Sequence, residues 1–283
     1  MKIGTGYPLI STGDLVQTRD FAQQLDSAGF DYLTLAGHVL GRPQDVYEGR
    51  PPATYVGPYY DPFVLFSYLA AHTNHIEFMT SILILPLFQT VVVAKQAAEL
   101  SFVSGGRFGL GVGISWQEPE YEAMGQDVHT RGKRLEEQIE VMRLLWSQPY
   151  VTYKGRWHNL DNIGLGRVPA HKIPIWMGAG MDDARLRRIA KLGDGWMPLG
   201  DPTEAIPKLT SYLKEAGRDP SQFLLMSRVN AGPEGPDAWI AEAKRLQGLG
   251  ITHITVGAPP DLAPAESFKR MTDARQAIAD ALN

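Results

Sequence analysis

The chain of 283 residues contains no cysteine, which excludes disulfide staples, thiolate nucleophiles and sulfur-ligated zinc together. No apolar run approaches the ~18 residues that span a bilayer. The longest such stretch, Ile82 to Leu87, contains Pro86 and gives way to Gln89. The start of the chain lacks the apolar segment of a signal peptide, so a cytoplasmic location is expected. Lys and Arg number 27 against 31 Asp and Glu, for a formal charge of −4, and no basic tract stands out. The electrostatic footprint of a nucleic-acid binder is therefore missing, and small molecules are the expected partners. No HExxH, clustered His/Asp spacing or GxSxG is present, so neither a metal site nor a serine hydrolase is expected.

With 44% hydrophobic and 20% charged residues, the composition suits a large α/β domain. Short β-branched or apolar runs alternate with stretches of helical period, the sign of a parallel sheet covered by helices. Eight such pairs are present, with strands expected to begin near Lys2, Asp31, Ile76, Phe108, Ile173, Gly195, Phe223 and Thr252. The last helix should end near Leu282. Asp14 opens the first helix and Gly29 stops it; Asp61-Pro62 opens the second, with proline at the first helical position. Thr130 is placed to cap a helix running to Pro149, and Asp219-Pro220 marks the turn before the seventh strand. Eight units in under ~300 residues favour a single closed (β/α)₈ barrel over residues 1–283, because open doubly wound sheets usually have fewer strands. Two stretches exceed a minimal barrel: Gly41 to Tyr60 after the second strand, and Tyr150 to Lys172 before the fifth, a hairpin around Lys154-Gly155-Arg156.

In such a barrel the active site lies at the C-terminal ends of the strands. His38 ends the second strand and is the candidate catalytic residue there. Glu118, Glu120 and, after the first strand, Tyr7 complete the acid–base options. After the fifth strand, Gly178-Ala179-Gly180-Met181 leads into a helix whose N-terminus favours an anion; a tight turn that merely requires glycine is the equal alternative. A dinucleotide-binding GxGxxG is not formed, because Asp183 stands where the third glycine belongs. In the fourth strand Gly109, Gly111 and Gly113 alternate, which strips one face of side chains. A planar ligand lying on that face and tight packing inside the barrel explain it almost equally well. Trp116 stands just beyond as a candidate wall. So little reactive machinery suits an enzyme whose cofactor carries the chemistry.

The segments Ala94 to Leu100, Ser104 to Gly113, Tyr121 to Gly125 and Arg131 to Leu135, in this order and spacing, resemble the luciferase-like monooxygenase family. Ile173 to Gly180, Gly193 to Trp196, Gly29-Phe30-Asp31 and His38-Val39-Leu40 are similar to further signatures of that family. The match covers about residues 1 to 200, and the chain looks most like the subgroup of F420-dependent oxidoreductases. The resemblance implies a barrel holding coenzyme F420, or alternatively FMN, with its ring at the mouth and its phosphate at Gly178 to Met181. It also implies a non-prolyl cis peptide at Ser81-Ile82 and a site histidine at His38. The implied contacts are Tyr7, His38, Ser81, Ile82, Gly111, Gly113, Trp116, Gly178, Ala179, Gly180 and Met181. The implied activity is hydride transfer to or from a small organic substrate, or an FMN-dependent monooxygenation. A flavin-binding protein without turnover is a third reading, and a phosphate-holding lyase or isomerase lacks a strand-end lysine. Gly37 and Trp116 stand where relatives carry acidic residues, so the sugar-phosphate dehydrogenase scheme does not transfer. Relatives pair through the second and third units, which implies a homodimer, with Phe63, Phe66, Tyr68 and Leu69 as the apolar surface.

Overall fold

The computed structural model describes residues 1–7, 14–41 and 59–282; most of the Gly41 to Tyr60 excursion lies outside them. Eight parallel strands close into a barrel. In chain order these are β1 (Lys2–Gly6), β2 (Tyr32–Gly37), β3 (Glu77–Ile84), β4 (Phe108–Gly113), β7 (Ile175–Ala179), β8 (Gly195–Pro198), β9 (Leu224–Asn230) and β10 (His253–Gly257). The antiparallel pair β5 (Val151–Lys154) and β6 (Asn159–Ile163) forms the expected hairpin outside the barrel.

Helices α1 (Leu15–Ser27), α2 (Pro62–Ala70), α3 (Thr90–Val103), α4 (Glu118–Ala123), α5 (Arg131–Ser147), α6 (Asp183–Leu192), α7 (Ile206–Glu215), α8 (Pro236–Gly248) and α9 (Pro264–Leu282) accompany the strands. None of the described helices is long and apolar enough to cross a membrane. Local chemistry sets several boundaries. The Asp14 carboxylate accepts the Val16 and Gln17 N–H groups, and Asp61 accepts that of Val64, which satisfies donors the first turn leaves unpaired. Gly29 takes φ +78 just past α1, a left-handed turn that glycine adopts without steric cost. Thr130 departs from expectation: it precedes α5 but makes no side-chain cap. Its hydroxyl donates back to the Asp127 carbonyl, because a short 3₁₀ turn over Val128–Thr130 already delivers the chain into the helix.

Alternation along each strand builds two cores. Outward residues such as Leu33, Leu110, Ile175, Val229 and Ile254 meet the helices. Inward residues Tyr32, Met79, Trp176, Met197 and Met226 fill the barrel itself. Phe63, Phe66 and Leu69 are buried in the outer core, which corrects the expectation that they form a surface for pairing. Helix α2 lies deep between the barrel and its neighbours, so most of its circumference is apolar for packing. Asp194, at the N-terminal end of β8, accepts from the Ile175 N–H and pairs with Arg143 and Lys172. Burial would raise its carboxyl, but these partners hold it below the ordinary carboxylate range. The Gly193 to Trp196 signature is thus a clamp at the end of the barrel opposite the mouth.

Candidate active site

The mouth is shaped first by one extra residue in β3. Met79 pairs with Gly109 and Leu83 with Val112, while Leu35 pairs with Thr80 and Gly37 with Leu83. Strand β3 therefore spends one residue more than either neighbour between matched pairs, a β-bulge. The Ser81-Ile82 peptide within it is cis. The Thr80 hydroxyl donates to the Gly111 carbonyl at 2.7 Å and accepts the Gly111 N–H at 2.8 Å, replacing ladder bonds that the bulge displaces.

This bulge favours the packing explanation of the glycine-rich strand. A Cβ on Gly111 would lie 1.9 Å from the Thr80 carbonyl oxygen, and one on Gly109 would meet the Trp176 indole. The Ile82 side chain lies across both Gly113 and Gly178, within 2.7 and 2.5 Å of where their Cβ atoms would be. The face is not bare. Gly111 and Gly113 are glycines because protein atoms fill their side-chain space, and Ile82 caps the barrel interior where a ligand was expected against strand β4. Ser81 beside it is exposed, so the bulge itself presents the surface at the mouth.

His38 follows β2 and faces the mouth. Its Nδ1 lies 3.1 Å from Glu120 Oε2, and both side chains are almost fully buried. Glu120, in the first turn of α4, also accepts the Val39 and Leu40 N–H groups at 2.7 and 3.2 Å. Burial favours the neutral acid, but these donors and His38 outweigh it and hold the Glu120 carboxyl below its ordinary range. A carboxylate only accepts, so His38 Nδ1 carries the proton and donates. Glu120 thus positions both the His38 ring and the backbone that follows it.

Tyr7 follows β1, but its hydroxyl bonds to Thr18 on α1 at 2.9 Å, and its ring packs edge-on against Phe21 and Tyr60. Trp116 is 37% exposed beyond β4, next to Ser115 with φ +50. Two buried donors near the mouth, the Gln117 amide nitrogen and the Tyr60 hydroxyl, have no hydrogen-bond partner among the described residues. Across the mouth, Gly178, Ala179 and Gly180 lead to Asp182, which caps α6 by accepting the Arg185 N–H and pairs with the Arg185 guanidinium. One donor of that helix end is thus already used. Beside Gly180 there is space, the nearest atom to a built Cβ being Arg185 Nη1 at 3.6 Å. A glycine-lined approach beside a guanidinium, with orphaned donors elsewhere near the mouth, fits a ring with polar edges and an anionic tail.

A second hydroxyl–imidazole–carboxylate line exists elsewhere. Thr90 Oγ1 lies 2.5 Å from His158 Nε2, and His158 Nδ1 lies 2.7 Å from Glu137 Oε1. Its order is that of a hydrolase triad, but Thr90 is 2% exposed, so no substrate carbonyl reaches the hydroxyl. Glu137 also accepts the Arg156, Trp157 and His158 N–H groups; the line pins the β5–β6 hairpin to α3 and α5. No group of His, Asp and Glu among the described residues could hold a metal ion.

Sequence reasoning named His38 and Glu120 separately and missed their bond, since 82 residues separate them. It also missed Gln117 and Arg185, for which no motif signals a role. Comparison with known proteins places the chain. The luciferase-like monooxygenase family matches residues 4–276. An uncharacterised protein of Mycobacterium tuberculosis is 35% identical over 205 residues, which cover 71% of this chain and 68% of that protein. Pyrimidine monooxygenase RutA of Allorhizobium ampelinum is 30% identical over 250 residues, covering 80% of this chain and 66% of its own. An F420-dependent secondary alcohol dehydrogenase, solved with an F420-acetone adduct, shares the fold with a TM-score of 0.79 at 19% identity, covering 98% of each chain. With its closed barrel and its family pattern spanning nearly the whole length, this chain belongs to the luciferase-like monooxygenase family.

Proposed function

We propose that the chain is an oxidoreductase that binds coenzyme F420 at the barrel mouth and transfers hydride between it and a small organic substrate. The observation that carries this reading is the buried His38–Glu120 pair, on the same end of the barrel as the Ser81-Ile82 bulge and the Gly178–Gly180 approach. When bound, the deazaflavin supplies the hydride chemistry. The chain's own residues do the rest. Ile82 and Ser81 give the ring a surface to rest on. The backbone of Gly178 to Met181 and the Arg185 guanidinium receive the phosphate. His38, its ring held in place by the Nδ1 bond to Glu120, takes a proton from the substrate or returns it.

FMN is the alternative cofactor, with a monooxygenase activity, and the similarity to a pyrimidine monooxygenase favours it. Binding without turnover is the third reading. Titration of the purified protein with coenzyme F420 and with FMN, followed by absorbance, decides among cofactors. Preferential F420 binding supports the leading reading, and FMN binding with no F420 binding replaces it by the second.

A cytoplasmic homodimer completes the proposal. The surface that supports pairing is not the buried side of α2 but the exposed Leu15 and Val16 on α1 with Val64 on α2, helices joined where the Tyr68 hydroxyl donates to the Leu15 carbonyl.

A further inference from the structure

Among the described residues, Arg228 differs from every other arginine. Each of the others bonds to a carboxylate, an amide or a backbone carbonyl, or, like Arg156 on Trp157, stacks on a ring. Among the described residues, Arg228 meets no hydrogen-bond, ion-pair or ring partner. It is nevertheless placed by the fold rather than left on an outer surface. Strand β9 turns Met226 into the barrel and Val229 out toward the helices, so alternation sends Arg228 inward, at the last inward position but one before the mouth. It pairs in register with Thr255, whose hydroxyl meets Tyr32 inside the barrel.

The guanidinium then rises toward the open end. A Cβ on Gly257, one inward position above Thr255, would lie 2.5 Å from Arg228 Nη2 and 3.1 Å from its Nε. Glycine at 257 thus leaves the room in which the guanidinium lies. At Gly6, on the next strand round, a built Cβ would have only Thr34 Oγ1, at 3.6 Å, close by among the described residues. Strand β9 stands four places round the barrel from β3, which sets Arg228 opposite the Ser81-Ile82 bulge. Above it Asn230 ends the same inward face, exposed.

We propose that Arg228 is the anion-recognising residue of the substrate subsite, and that the substrate carries a carboxylate. This rests on the reading of the mouth as the active site. The bulge and the Gly178–Gly180 approach occupy one side of the mouth and Arg228 the other, so a ring held on the first side leaves its remaining face toward the guanidinium. A planar, permanently charged fork of donors matches a carboxylate in two parallel bonds. A cofactor phosphate offers the same oxyanion chemistry, and the test separates the two.

Calorimetry on the protein, with and without whichever of F420 and FMN binds, is run with acetate and benzoate against their neutral partners acetamide and benzamide. At least one acid is expected to bind about tenfold or more tightly than its amide, in line with charge-assisted hydrogen bonds. R228M should erase that preference while leaving cofactor affinity within about threefold, and R228K, which keeps the charge but not the fork, should retain part of it. Both variants should melt with the wild type, since the side chain has no partner to lose. Equal binding of acid and amide by the wild type overturns the proposal, as does a preference that survives in R228M. A loss in R228M confined to cofactor affinity overturns it too, and assigns the guanidinium to the cofactor. If neither cofactor binds, the hydride-transfer reading falls, while the acid preference of the cofactor-free protein still decides the role of Arg228.

Discussion

His38, just past β2, and Glu120, in the first turn of α4, meet at 3.1 Å although 82 residues separate them in the chain, and the carboxylate spends its other oxygen on the Val39 and Leu40 N–H groups. One buried acid thereby fixes both the tautomer of the histidine and the backbone that carries it. H38N should lower turnover by about 10²–10⁴-fold, the usual contribution of a positioned acid–base group, with cofactor affinity within about tenfold. E120Q should act more mildly on turnover and also change its pH profile, because an amide offers one acceptor oxygen where the carboxylate uses two, one for His38 and one for the Val39 and Leu40 N–H groups. Steady-state rates across pH, beside cofactor titrations, check both. An H38N protein with wild-type turnover would return His38 to a purely structural role.

The phosphate approach is testable at two neighbouring residues. Gly180→Asp should abolish cofactor binding, since a carboxylate would stand beside Arg185 where the anionic tail is received. R185M should weaken cofactor affinity by about tenfold with little change in melting temperature, because the side chain is half exposed and its pairing with Asp182 is a surface contact of small worth. Fluorescence titration and thermal denaturation separate these effects.

Glycine positions at the mouth should differ sharply in tolerance. Gly111→Ala drives a methyl group into the Thr80 carbonyl, 1.9 Å from where it would sit, and no flexible side chain can yield there. A loss of about 3 kcal/mol or more is expected, a fall in melting temperature of roughly 6–12 °C. Gly180→Ala meets only Arg185 at 3.6 Å and should melt with the wild type. Equal melting of the two variants would remove the bulge explanation of Gly111.

Acid stability should depend on His253. It lies inside the barrel between Tyr32 and Trp176, where burial first and the Lys2 charge second push its pKa down to about 3. Between that value and the ordinary 6.5 the unfolded chain binds a proton that the folded chain refuses. Stability therefore falls as pH drops through this window, by about 1.4 kcal/mol per pH unit. The buried carboxylates Glu120 and Asp194 are held below their ordinary values, so their contribution is lost only at lower pH. Denaturant unfolding at pH 7 and pH 4.5 should show about 3 kcal/mol less acid lability in H253F than in the wild type. An unchanged difference would mean that His253 is charged or hydrated in the fold.

Local signals made the barrel legible. Each of the eight strands begins within about two residues of its expected place, because alternation and the Asp14, Asp61 and Asp219 turn residues act over a few positions. What the sequence hid depends on partners distant along the chain. The reason for Gly111 lies in a bulge on β3, the partner of His38 lies on α4, and the burial of Phe63, Phe66 and Leu69 comes from the depth at which α2 packs. Arg228 carries no motif at all, since its meaning comes from strand parity and from Gly257 on the next strand.

The most direct measurement is titration of the purified wild-type protein with coenzyme F420 and with FMN, beside H38N and Gly180→Asp. The expected result is saturable F420 binding tighter than that of FMN, kept in H38N and lost in Gly180→Asp. Wild-type protein that binds neither cofactor, or a Gly180→Asp variant that binds F420 as the wild type does, would contradict a cofactor site at this mouth.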